Sequence, residues 1–273
     1  MELLPLSNKE ISNYFDTNHS VWEIILKGGF PEIWLQNINP SFYFPSYIQS
    51  FIERDIRQLI NIKNLILFKQ FIKLVATRAG QEWNSSQISN DLGVNSKTVT
   101  AWLSYLQTAG IVYLLAPYYA NFGKRVIKRP KLYLTDTGVL CNLLGIQNEI
   151  QLENHPQKGS IFENFVFLEF LKEKNNSLEN SSFYYWRSIS GVEIDLIVEK
   201  NGELIPIEIK SGTTYQEKWW KNIMDWQVFS KSTFPGMIIY GGNENHDFSD
   251  GRKVLSYDSI AVSFKLIWNT IPN

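Results

Sequence analysis

The sequence predicts an α/β protein in three parts: a helical N-terminal segment, a middle domain of helices with a strand pair, and a C-terminal domain on a mixed sheet. Three observations predict it. Apolar residues recur at helical spacing through the first sixty or so residues. Two short helices around a glycine turn then precede two strands and a basic loop. The last part reads helix, three strands, helix, strand. At 273 residues the chain exceeds one ordinary compact domain, and 44% hydrophobic with 19% charged residues is globular composition.

Residues 1–61 read as helices broken at Gly28-Gly29-Phe30-Pro31, and Ile48, Phe51, Ile52, Ile56, Leu59 and Ile60 mark one helical face. This segment is too small to be a domain of its own. Residues 62–147 begin with an amphipathic helix over 62–80. Ser85 or Ser86 caps a short helix ending near Gly93, and Asn95 or Ser96 opens the next, which runs to about Gly110. Val99, Trp102, Leu103 and Leu106 form its inner stripe, leaving Ser96, Lys97, Thr100 and Ser104 outward. This is the helix-turn-helix pattern. A strand over Ile111–Leu115, the loop "NFGKRVIKRPK" and the strand "LYLTD" add a wing, whose tip carries Lys124, Arg125, Lys128, Arg129 and Lys131. A helix over Asp136–Ile146 closes the domain.

The net charge of −1 hides an asymmetry: residues 1–61 carry −3, residues 62–147 carry +7 and residues 148–273 carry −5. A basic middle between acidic flanks implies an anionic partner. A winged helix places helix residues in the DNA major groove and its wing on phosphates, so Lys97 and the five wing residues are the candidate DNA contacts. The same module also serves protein contacts, which keeps docking as the alternative.

In residues 148–273 a polar stretch, "QNEIQLENHPQKGS", leads to an apolar helix opened by Gly159 and Ser160. Strands follow in "SSFYYWRS", "GVEIDLIVEK" and "ELIPIEIKS", then a helix through "EKWWKNIMDWQVFSK" and the strand "GMIIYGG". Asn201-Gly202 suits a type I′ hairpin turn, which needs positive φ at both central residues. That turn sets Lys200 opposite Glu203, Asp195 opposite Glu208 and Glu193 opposite Lys210. By alternation these last four share one face, and Ile194, Leu196, Val198, Ile205, Ile207 and Ile209 take a buried one. Like charges directly opposed are destabilising at a Cβ separation of about 5 Å. A divalent cation offsets that, and magnesium needs only one or two carboxylates beside its waters. Lys210, one pleat along, reaches a phosphate. The bland alternative is a cross-strand ion pair on a wet face, with Asp195 and Glu208 diverging into solvent.

"EIDLIV" followed by "PIEIKS" resembles the core of the PD-(D/E)XK nuclease superfamily, an acid on one strand and acid-x-lysine on the next. The resemblance implies a restriction-endonuclease-like domain over 148–273. Asp195 and Glu208 would be its metal-binding acids, Lys210 its catalytic lysine, and Glu163 an added acid from the preceding helix. Ser160 to Glu163 also reads as an S-x-x-E capping box, so both roles for Glu163 stay open. Trp186-Arg187 either touches substrate or closes the core edge. More widely, "GGFPEIWL", "FIERDI", the helix-turn-helix, "KLYLTDTGV" and "FENFVF" occur in the order seen in a family of prokaryotic AAA-type ATPases. The chain is similar to the part that follows their nucleotide-binding core. It has no G-x-x-x-x-G-K-[ST] phosphate loop, so no ATP site is expected in this chain. The resemblance implies either a missing ATP-binding module or a separate ATPase partner.

Cys141 is the lone cysteine, which excludes an internal disulfide framework and fits a reducing cytoplasm; its place on an apolar helix face marks it as core. His19, His155 and His246 have no metal-ligand spacing and read as surface residues. Gly241–Lys253 reads as a solvated loop. No run of about eighteen apolar residues is present, and the first residues lack the order of a secretion signal.

Overall fold

The computed structural model describes residues 4–15, 19–56, 62–119, 127–177, 180–262 and 264. The N-terminal helices are α1 (Asn8–Tyr14), α2 (Val21–Lys27), α3 (Pro31–Leu35) and α4 (Pro40–Phe51), the last running on into a wider π-helical turn over Ile52–Ile56. They form no separate body. Their buried residues, among them Ile25, Ile33, Phe44 and Phe51, join one continuous core with those of the middle and C-terminal parts. Gly28 and Asp136 show why the break in this segment is fixed. Gly28 has φ 66°, and a Cβ there would lie 2.4 Å from the Asp136 carboxylate. Asp136 accepts the Gly29 amide at 2.7 Å and caps the following helix through Val139 N at 2.9 Å. Burial raises the Asp136 carboxyl, while hydrogen bonds from Gly29 and Val139 pull it back down.

The middle part contains α5 (Ile62–Ala76), β1 (Gln81–Glu82), α6 (Ser85–Leu92), α7 (Ser96–Thr108), β2 (Val112–Leu115), β3 (Lys131–Leu134) and α8 (Thr137–Leu143). Asn84 rather than a serine caps α6, Gly93 ends it in the left-handed region, and Asn95 caps α7. The anticipated inner stripe is buried, and Ser96, Lys97, Thr100 and Ser104 are exposed. The three strands form an antiparallel sheet in the order β1-β3-β2.

The C-terminal part opens with α9 (Glu149–Glu153), inside what reads as a polar linker, and α10 (Lys158–Ser177). Its mixed six-stranded sheet runs β4-β5-β6-β7-β9-β8. The strands are β4 (Ser182–Arg187), β5 (Glu193–Lys200), β6 (Glu203–Lys210), β7 (Met237–Tyr240), β8 (His246–Asp247) and β9 (Lys253–Ser256). β8 and β9 were not legible: both are short, and β8 lies within the acidic stretch that reads as solvated loop. The sheet is covered on both faces. α10 packs on Leu196, Val198, Ile205, Ile207 and Ile209, and α11 (Lys221–Ser230) packs on a second core around Trp186, Ile194, Ile197 and Ile238. β4 is an edge strand, and residues 116–118 and 127 cover it. Tyr118 N donates to Tyr185 O, Tyr185 N to Ala116 O, and Ile127 N to Arg187 O. The middle part is thereby hydrogen-bonded to the C-terminal sheet.

Candidate active site at the parting of two strands

The hairpin forms in the expected register, from Lys200↔Glu203 to Leu196↔Ile207, with Asn201 and Gly202 both at positive φ. Alternation fails just beyond. Between Tyr184↔Ile197 and Trp186↔Ile194 the pairing of β4 with β5 shifts, so that Asp195 and Leu196 together face Tyr185. This β-bulge turns Ile194 into the second core with Trp186, not onto the face of Leu196 and Val198. The single-face expectation for the apolar residues is corrected accordingly. The bulge also releases Asp195 from the ladder, and its Oδ2 accepts Ile209 N at 2.8 Å. Asp195 therefore stands where β5 and β6 part, beside Glu208 and Lys210.

The structure brings the three predicted catalytic residues together. Lys210 Nζ lies 2.5 Å from Glu208 Oε1 and 3.9 Å from Asp195 Oδ2. Asn222 of α11 donates to the same Glu208 oxygen at 3.1 Å, an interaction that no sequence signal announced. Glu208 is 1% exposed, and its other oxygen, Oε2, is buried without a hydrogen-bond partner among the described residues. Burial pushes the Glu208 carboxyl up to about 8, with the Asp195 charge adding and Lys210 opposing. Burial works to lower Lys210, but Asp195 and Glu208 outweigh it and hold its proton on.

Glu163 arrives from α10, and Lys131 arrives from β3. Glu163 does not close a capping box: α10 begins two residues before Ser160, and Glu163 accepts from Lys131 Nζ at 2.9 Å and Tyr133 Oη at 2.6 Å. Lys131 departs from its predicted place at an exposed wing tip. It is 2% exposed, with Nζ 2.5 Å from Glu193 Oε1 and 3.8 Å from Asp195 Oδ1. The physical reason is β alternation, which puts Lys131 and Tyr133 on the same side of a fully buried strand, both reaching Glu163. That alternation was the signal available in "KLYL". Burial raises Glu163 to about 7, Lys131 pulls it back, and the Asp195 charge adds. Trp186 is buried in the second core, and Arg187 bridges Glu82 at 3.1 Å and Glu193 at 3.4 Å.

Around this point five carboxylates (Glu82, Glu163, Glu193, Asp195, Glu208) meet three cations (Lys131, Arg187, Lys210). Fully ionised, the cluster carries two uncompensated negative charges. Among the described residues no three His, Cys, Asp or Glu side chains stand close enough to cage a metal. A hard cation that keeps most of its waters needs fewer protein ligands, commonly one or two carboxylates, and Asp195 and Glu208 are two carboxylates that flank the same Lys210 ammonium.

Of the other candidate DNA-binding residues, Lys97, Lys128 and Arg129 are exposed, while Lys124 and Arg125 lie outside the described residues. Cys141 is buried. His19 and His246 pair with Glu23 and Glu244. Among the described residues no helix is long and apolar enough to cross a membrane.

Comparison with known proteins places two adjoining family models on this chain. Residues 18–150 match a domain of unknown function, DUF8612, and residues 158–260 match another, DUF4143, which is often found in AAA-ATPase-associated proteins. Uncharacterised proteins of Mycobacterium bovis and Mycobacterium tuberculosis are each 34% identical over 242 residues, 87% of this chain and 53% of theirs. An uncharacterised protein of Haemophilus influenzae is 26% identical over 229 residues, 77% of this chain and 52% of its own. The chain thus spans about half the length of the curated relatives it matches.

Proposed function

We propose that this chain is a DNA-binding, nuclease-like portion of an AAA-type ATPase assembly, acting in the cytoplasm and cutting phosphodiester bonds with magnesium. The observation that carries the reading is the meeting of Asp195, Glu208 and Lys210 at the start of β5 and the end of β6, with one buried Glu208 oxygen left without a partner among the described residues. Asp195 and Glu208 would hold the cation, with Glu163 nearby to assist. When bound, magnesium supplies Lewis-acid activation of the phosphate and of the attacking water. Lys210 offers an ammonium to the charge that develops on the phosphate. The helix pair α6–α7 and the strand pair β2–β3 are read as a winged helix, with Lys97, Lys128 and Arg129 touching the DNA backbone and Lys124 and Arg125 extending that surface. The ATPase partner or module is proposed from the order of the motifs and from the association of DUF4143 with AAA-ATPase-associated proteins.

The test is cleavage of linear, nicked, supercoiled and single-stranded DNA by purified chain with magnesium or manganese. Cleavage that Glu208→Ala removes, with DNA binding retained, is the expected result; intact DNA in every form sinks the enzymatic half. One observation favours a second reading, a non-catalytic regulatory or docking module for an ATPase: the Lys131 ammonium already compensates the acids around Asp195. Tight co-purification with an ATPase core and no metal binding would favour that reading.

A further inference from the structure

Lys131 sits where a basic wing residue has no evident reason to be. Its Nζ is ringed by Glu193 Oε1 at 2.5 Å, Glu163 Oε1 at 2.9 Å and Asp195 Oδ1 at 3.8 Å. The Tyr185 ring closes one side, its centroid 5.3 Å from Nζ. Burial opposes the charged form of Lys131, but the surrounding carboxylates hold the proton on well beyond the ordinary lysine range. The Glu193 and Glu163 oxygens lie at the distance of an ammonium hydrogen bond, about 2.8 Å, and the Asp195 oxygen lies beyond it, at ion-pair distance.

Asp195 is the shared member. One of its oxygens faces Lys131, while the other faces Lys210 and the Ile209 amide. Glu208, whose carboxyl feels the Asp195 charge, keeps one buried oxygen without a partner among the described residues. A cation that bridges Asp195 and Glu208 therefore meets an ammonium already at Asp195. Two positive charges a few ångströms apart in a buried site repel strongly. The lysine stem is flexible, so the Lys131 ammonium can shift away from Asp195 toward Glu193 and Glu163, which it already contacts.

We propose that Lys131 is the resident cation of this site: its ammonium serves Glu163, Glu193 and Asp195 in the metal-free chain and competes with a divalent cation for Asp195 and Glu163. This rests on the magnesium reading above and adds its regulation. The middle part of the chain supplies a residue that sets the metal affinity of the C-terminal part, so metal loading depends on how the two are joined.

The test is a calorimetric titration of manganese, without DNA, into wild type, Lys131→Met and Lys131→Arg. Lys131→Met should bind manganese roughly tenfold more tightly or better, and Lys131→Arg, which keeps a cation, should not. Equal or weaker binding by Lys131→Met, or no binding by either protein, overturns the proposal. If Lys131→Met fails to fold, acetylation of wild-type lysines followed by mass spectrometry decides. Lys131 should be protected without metal and label about tenfold faster with manganese; an unchanged rate overturns the proposal. Failure of the nuclease reading looks different: tighter binding by Lys131→Met with no DNA cleavage leaves this inference standing, and cleavage with unchanged affinity removes it.

Discussion

Two regions of this molecule draw on the same basic stretch and use it oppositely. Lys128 and Arg129 are exposed, on the surface read as a wing. Lys131, two residues further on, is buried among acids contributed by α10 and β5. The surplus of +7 in residues 62–147 therefore overstates the charge offered to an outside partner. Charge counting finds a basic segment; only strand alternation tells which of its cations turns inward. The acids show the same contrast. Glu208 is nearly inaccessible and pushed toward neutrality, whereas Asp250 on the surface is held low by hydrogen bonds from Arg252.

The largest expected effect lies at the buried region. Glu208→Ala should lower cleavage by about a hundredfold or more while leaving DNA affinity intact, measured by turnover and by band shift. A parallel loss of both would erase the division of labour between the regions.

Next comes stability. Lys131→Met leaves several buried carboxylates uncompensated and should cost about 3–5 kcal/mol at pH 8, read by urea unfolding in chelator. The cost should shrink at pH 5, because Glu163, raised to about 7, then carries a proton. A cost below about 1 kcal/mol at pH 8 would mean the cluster is solvated after all.

A third effect is the pH profile of wild type in chelator. Glu208 is raised from 4.5 to about 8 and Glu163 to about 7, so the folded chain keeps protons that the unfolded chain releases near 4.5. Their contribution is full below about 4.5 and is lost as pH rises through 7 and 8. Stability should fall across that window, and Glu208→Gln should flatten its upper part. A wild-type profile that rises there would contradict the assignment.

The smallest effect belongs to the exposed region. Replacing Lys97, Lys128 and Arg129 with alanine should leave stability within about 0.5 kcal/mol. The same change should reduce the salt slope of DNA binding by about one for each phosphate no longer neutralised. An unchanged slope would move the partner away from DNA.

Much of this was legible. The Asn201-Gly202 turn fixed the hairpin register, and helical spacing with glycine punctuation located α6 and α7. Glu208 and Lys210 were identifiable from the acid-x-lysine spacing after the turn, and Asp195 from the motif as a whole, since the ladder ends at Leu196 and Ile207, short of the expected pairing of Asp195 with Glu208. The bulge at Asp195 was not, since it answers to β4 and to residues 116–118, distant in sequence. Nor were β8 and β9, too short for a periodic signal, or Asn222, which reaches Glu208 only through the packing of α11. Lys131 was half legible: it was identified as a notable cation but placed in the exposed loop at the wing tip, whereas it opens the buried strand β3.

The most direct measurement is a magnesium or manganese titration by calorimetry on wild type and Asp195→Ala. The account predicts a saturable site in wild type, weakened by roughly tenfold or more in the variant. Equal heats in the two proteins, or none in either, would contradict the claim that Asp195 and Glu208 share a cation.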